Sequence, residues 1–110
     1  MNTCTIDING KEYTFCLTRE AVKWLESRGL NIAELGNKTI TYIDLFWVAG
    51  LIAKHGELRE NEALDLRQEY ENEGGDVMEV ITFLINEYTN FLDALTDTGS
   101  KKKKAKIVKG

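Results

Sequence analysis

Apolar and polar residues alternate over the first seventeen positions, which is the pattern of two half-buried strands. The strands flank Asn9-Gly10, a pair typical of a type I′ turn because both central residues of that turn have positive φ. The cross-strand pairs that a two-residue turn predicts are Ile8 with Lys11, Ile6 with Tyr13 and Cys4 with Phe15. Residues 3–17 are therefore predicted to form a hairpin with one apolar face, which helices must cover because an isolated hairpin is marginally stable.

Four helices are predicted after the hairpin, because apolar residues then recur every three or four positions. Their predicted bounds are about 19–28, 41–55, 61–72 and 77–95, with one short turn near 31–35. Thr18 and Asp76 are suitable N-caps for the first and last of these helices. The last helix has the clearest pattern, a heptad seam of Val77, Ile81, Leu84, Tyr88, Phe91 and Leu95. The predicted class is α+β, mostly α: residues 1–96 form one domain in which the hairpin packs on a bundle of about four helices.

The helix predicted at 41–55 has almost no polar face. A helix that is apolar all round lies either at the centre of a core or partly in an interface, and both alternatives stay open here. If it contributes to an interface, Trp47 with Phe46 and Leu51 is the expected partner surface, because aromatic residues dominate such sites. Surplus apolar area on the last helix adds Tyr88 and Phe91 to the predicted partner-binding residues.

The net charge of −4 divides into two unequal parts. All 18 acidic residues lie at or before Asp97, where 8 basic residues accompany them, so the body carries −10. Six lysines follow from Lys101 onward and give +6. The segment 97–110 is predicted to be a flexible, disordered, lysine-rich tail. Three interpretations stay open for this tail. It is a solvated end, or it is an electrostatic arm for nucleic acid or an acidic partner. In the third, Lys101–Lys104 reflect an A-rich run of codons in the message, on which ribosomes can slip.

The chain has none of the common catalytic or metal-binding motifs. Cys4, Cys16 and His55 are too few for a zinc site, and no second histidine supports a nucleophilic cysteine. We interpret Cys16 as a semi-exposed structural residue and His55 as a cation at a helix C-terminus. We therefore expect no enzyme activity, no metal and no cofactor. The longest apolar run, 45–53, is about half the length of a membrane span, and no signal peptide is visible, so the expected location is the cytoplasm.

The opening of the chain resembles a known family. The stretches that carry the resemblance are Ile8-Asn9-Gly10-Lys11-Glu12-Tyr13-Thr14-Phe15, then Thr18-Arg19-Glu20-Ala21, then Leu25-Glu26 with Gly29. They resemble the small tail assembly chaperones of long-tailed bacteriophages and prophages, in which a short hairpin precedes a helical domain of about this size. The likeness covers the plan of residues 2–96.

This resemblance implies a non-catalytic role in the cytoplasm of a bacterial host. Such chaperones bind the tape measure protein and shield its apolar helices until tail tube subunits polymerise around it. Many exist in two forms, the longer of which arises by a programmed frameshift where the lysine run falls here. Self-association is left open.

Two alternatives belong to other classes. One is a small regulatory or nucleic-acid-associated protein that acts through its basic tail, although an acidic body repels phosphates. The other is a structural subunit that completes a tail or head.

Overall fold

The computed structural model describes residues 2–101, with the side chains of all of them except residue 32 and residues 95–101. The chain begins with an antiparallel hairpin and continues as helices, which confirms the predicted α+β, mostly α class. The elements in order are strands β1 (Cys4–Ile8) and β2 (Lys11–Phe15), helix α1 (Arg19–Ser27), a 3₁₀ turn (Ile32–Glu34), and helices α2 (Thr39–Leu51), α3 (Glu60–Asn72) and α4 (Val77–Lys101).

The hairpin turns at the two residues that the sequence indicates. Asn9 has a φ of 53° and Gly10 a φ of 86°, as a type I′ turn requires. The backbone N–H of Gly10 also donates to the Asp7 carboxylate at 2.9 Å. Every predicted cross-strand pair is present, so the register is confirmed.

One face of the hairpin packs on α2. Ile8, Tyr13 and Phe15 are buried on this face. The prediction for Cys16 was wrong, because this residue is buried rather than semi-exposed. Since β2 ends at Phe15, the alternation of faces also ends there, and the Cys16 N–H donates to the carbonyl of Gly50 at 3.0 Å.

Helix α2 lies at the centre of the molecule. It contacts β2, α1, α3 and α4, which explains why it has no continuous polar face. Of the two alternatives for this helix, the structure therefore supports the core. Gly50 allows this packing: a Cβ atom there would lie 2.8 Å from a methyl carbon of Leu84 and 2.9 Å from the Phe15 ring.

Both predicted N-caps are present at the starts of their helices. The Thr18 hydroxyl accepts from the Ala21 N–H at 3.1 Å, and Asp76 accepts from the Glu79 N–H at 3.2 Å.

Two helix ends differ from their predicted positions. Helix α2 ends at Leu51 instead of residue 55, because the following residues form turns. Helix α4 continues to Lys101 instead of ending at 95, because its backbone hydrogen bonds extend beyond the last residue of the heptad seam. The rest of the predicted tail, residues 102–110, lies outside the described residues.

Candidate functional site

Four of the five predicted partner-binding residues lie in the core. Phe46 and Trp47 are fully buried, Leu51 is 2% exposed and Tyr88 is 6% exposed. The Trp47 indole Nε1–H donates to the Ala63 carbonyl of α3 at 2.8 Å, which satisfies its polar atom inside the protein. These four side chains therefore form no free surface in this structure, because the hairpin and the other helices enclose the C-terminal half of α2, and Tyr88 of α4 packs on Phe46 in the same core.

The fifth residue, Phe91, lies in a groove between α1 and α4, which we call the α1–α4 groove. Its volume is about 220 Å³. Val22, Phe91 and Leu92 supply its apolar part, and Leu92 is 36% exposed. The charged residues that line it are Arg19, Lys23 and Glu26, all on α1. Two cations against one carboxylate give this groove a local excess of positive charge on an acidic body.

A second groove lies beside α2, α3 and the start of α4, and we call it the α2–α4 groove. Its volume is about 270 Å³. Ile40, Ile43, Val77 and Met78 supply the apolar part, and of these Ile40 is 74% and Met78 47% exposed. Its charged residues are Asp44, Arg67 and Glu71.

The two grooves account for every large hydrophobic side chain that is exposed among the described residues, namely Ile40, Met78 and Leu92. Single exposed hydrophobic residues need no explanation, but two of these three share the α2–α4 groove. Sequence reasoning missed Ile40. The signal that could have found it is its position at the first turn of a helix, where fewer neighbours can cover a side chain.

The charged residues of the α2–α4 groove form ion pairs with one another. Arg67 Nε lies 3.0 Å from Asp44 Oδ1, close enough for an ion pair although the two atoms are not aligned for a hydrogen bond. Arg67 Nη1 donates to the Glu71 carboxylate at 2.7 Å. The one cation of this groove is thus shared by two carboxylates, and the groove keeps a net negative charge.

The residues considered for chemistry have structural roles. His55 Nε2 accepts from the Thr14 backbone N–H at 3.0 Å, and its ring packs on Tyr13 with centroids 5.1 Å apart. The predicted position at a helix C-terminus was wrong, since α2 ends at Leu51, four residues before His55. The ring instead ties the turn after α2 to the hairpin.

The two cysteines do not have the environment of a reactive thiol. Burial raises the pKa of the Cys4 thiol, and the nearby Glu79 carboxylate raises it further. A raised pKa lowers the thiolate fraction, and the thiolate is the reactive form. Cys16 is buried next to α2.

Within the part of the chain that the structure describes, no three His, Cys, Asp or Glu side chains come together as metal ligands would. Among the same residues, no helix combines the length and the apolar character that crossing a membrane requires.

Comparison with known proteins gives one match. Residues 2–109 match the family described as Domain of unknown function (DUF5055). Neither the curated proteins nor the solved structures gave a match. The match spans the hairpin and all four helices.

Proposed function

This chain belongs to the DUF5055 family, and we propose that it is a non-catalytic tail assembly chaperone of a phage or prophage. Its client is an apolar helix of a tape measure protein, which it binds in the bacterial cytoplasm before the tail tube forms. The observation that carries this proposal is the α1–α4 groove, with an apolar floor and a charged rim on one helix.

The groove has the size and the lining of a site for protein side chains. Its volume of about 220 Å³ is below the range of about 300–1,000 Å³ that is usual for small-molecule pockets. An amphipathic helix binds by placing side chains spaced three or four residues apart into such a groove. Phe91 and Leu92 would contact these side chains from α4, and Val22 from α1.

The rim adds selectivity for the charge of the client. Arg19 and Lys23 stand on one side of the groove, while the rest of the body is strongly acidic. A client helix with carboxylates beside its apolar stripe would pair with these two cations, and the acidic body would repel it in any other orientation. The same negative charge keeps the complex of two apolar partners in solution.

Co-expression with a client tests the proposal. The full chain is produced together with helical fragments of the tape measure protein from the same phage gene cluster, and the soluble, co-purified fragment is quantified. We expect the wild-type chain to keep the fragment soluble. Leu92→Asp removes an apolar contact from the α1–α4 groove and adds a carboxylate that competes with the client for Arg19 and Lys23, so it should reduce the co-purified fragment by roughly tenfold or more.

The matched control is Ile40→Asp, which puts the same charge on an exposed residue of the other groove. It should leave client binding within about twofold of wild type, because rim charges far from a contact contribute little. Equal loss in both variants, or no solubilisation by the wild-type chain, would count against the chaperone function.

A further inference from the structure

The α2–α4 groove is an apolar surface that no other part of the described chain covers. Ile40 and Met78 are the two most exposed large hydrophobic residues among those described, and they line the same groove. Ile43 and Val77 continue the apolar surface inward. Two such side chains in one groove present a contact for apolar residues of another segment.

The charge around this groove restricts what can bind there. Residues 60–73, which comprise α3 and its C-cap, contain six carboxylates and one cation, Arg67. Asp44 and Glu71 already neutralise that cation. An occupant must therefore bring apolar side chains flanked by positive charge, because acidic side chains would be repelled.

The chain itself contains a segment with this chemistry. Residues 102–110 have five lysines, no acidic residue, and the apolar pair Ile107-Val108. We propose that this segment binds in the α2–α4 groove of a second copy of the chain. Ile107 and Val108 contact Ile40 and Met78, and the lysines pair with carboxylates of α3.

The lengths of the elements require a second copy. The α2–α4 groove lies at the start of α4, and 23 residues separate Met78 from Lys101 at its end. A rise of 1.5 Å per residue places these two positions about 35 Å apart. Six residues from Lys101 to Ile107 span at most about 21 Å even when fully extended. The segment therefore cannot reach the groove of its own chain while α4 is intact.

The other groove is within reach of the same chain but has the wrong charge. Leu92 precedes Lys101 by nine residues, or about 14 Å of helix. Arg19 and Lys23 at that groove repel a lysine-rich segment, whereas α3 attracts it. Charge and reach thus both favour the α2–α4 groove of a neighbouring molecule. This inference does not depend on the proposed chaperone function.

Sedimentation velocity of the full chain is the first test. For the wild type at about 50 mM salt, we expect the weight-average sedimentation coefficient to rise with protein concentration. The double variant Ile107→Ser/Val108→Ser should remain monomeric over the same range. Raising the salt to about 500 mM should weaken the wild-type association roughly tenfold or more, because exposed ion pairs are screened.

Groove variants identify the surface that is used. Met78→Ser and Ile40→Ser should each weaken association roughly fivefold to tenfold, as the loss of one partly buried apolar side chain predicts. The matched control is Leu92→Ser in the α1–α4 groove, which should associate as the wild type does. All three residues are exposed, and a thermal melt followed by circular dichroism checks that each variant is folded.

A labelled peptide of residues 101–110 provides the second measurement. Its binding to the Ile107→Ser/Val108→Ser chain is followed by fluorescence anisotropy, so that the segment of the receptor does not compete. Binding that Met78→Ser weakens and Leu92→Ser does not weaken supports the proposal. A wild-type chain that stays monomeric at about 200 µM would overturn it. Association as strong as that of the wild type in both Met78→Ser and Ile40→Ser, or abolished by Leu92→Ser, would overturn it too.

Discussion

The close approach of α2 to the hairpin and α4 depends on Gly50. This residue lies inside α2, where replacement of glycine by alanine is ordinarily favourable by about 1 kcal/mol because alanine loses less backbone entropy. In this protein, the added Cβ would lie 2.8 and 3.0 Å from the two Cδ atoms of Leu84 and 2.9 Å from Cδ2 of Phe15. Carbon atoms at van der Waals contact are about 3.5–4.0 Å apart, so both neighbours must move.

The expected magnitude follows from these two opposing effects. Leu84 and Phe15 are fully buried, so their displacement disturbs packing around them. An extra methyl group in a well-packed core typically costs about 1–3 kcal/mol. After the gain of about 1 kcal/mol in helix propensity, Gly50→Ala should lower the free energy of unfolding by about 1 kcal/mol. For a domain of this size, that change lowers Tm by about 4–8 °C.

Urea unfolding followed by circular dichroism at 222 nm measures this difference. Gly36→Ala is the matched control, since a Cβ at Gly36 meets no atom within 4 Å. It should be neutral or stabilise the protein by up to about 1 kcal/mol through the unfolded state. An unchanged m value, the slope of the unfolding free energy against urea concentration, would show that neither variant alters the surface exposed on unfolding.

A double-mutant cycle separates crowding from other effects of Gly50→Ala. Leu84→Ala removes two of the three atoms that the new methyl group would meet and leaves space into which the Phe15 ring can move, at a cost of about 2–5 kcal/mol. In the Leu84→Ala background, Gly50→Ala should become neutral or stabilising, which corresponds to a coupling energy of about 1 kcal/mol. If Gly50→Ala stabilises the otherwise wild-type protein, or if its effect is the same in both backgrounds, the packing argument is refuted.

Three further predictions concern buried and half-buried groups. Trp47→Phe should lower the free energy of unfolding by about 1–3 kcal/mol in urea titrations, because it leaves a void and removes the side-chain donor of the Ala63 carbonyl, which keeps only its bond within α3. A loss below about 0.5 kcal/mol would contradict this reasoning. Iodoacetamide at pH 8 should modify Cys4 more slowly than it modifies an unfolded control peptide, because burial raises the pKa of the Cys4 thiol above the ordinary 9.0. Buried Cys16 should react only after unfolding, and mass spectrometry measures the modification of both residues. Burial also raises the pKa of Tyr88 above 10.0, so its contribution to stability is complete below pH 10 and is lost as the pH rises through the folded-state value. Thermal melts of Tyr88→Phe should therefore fall less steeply than those of the wild type above pH 10, and parallel curves would exclude this contribution.

The sequence by itself determined the features that depend on neighbours along the chain. Asn9-Gly10 specified the turn and, through it, the whole register of the hairpin. Thr18 and Asp76 marked the starts of α1 and α4, because a cap acts on N–H groups two or three residues away. Local hydrogen bonds and backbone preferences decide these features, so a short window of sequence contains the information.

Only the tertiary structure decided which apolar residues are exposed. The sequence favoured Trp47 with Phe46 and Leu51 as the partner surface of α2, yet all three are buried, whereas Ile40 is 74% exposed. A helix that is apolar all round has no periodicity from which an outer face could be read. Burial there depends on the hairpin, α1, α3 and α4 together, whose residues are distant in sequence. The same arrangement places Phe91 at a surface groove, although it belongs to the same heptad seam as the buried Tyr88, because α1 covers that part of α4 incompletely.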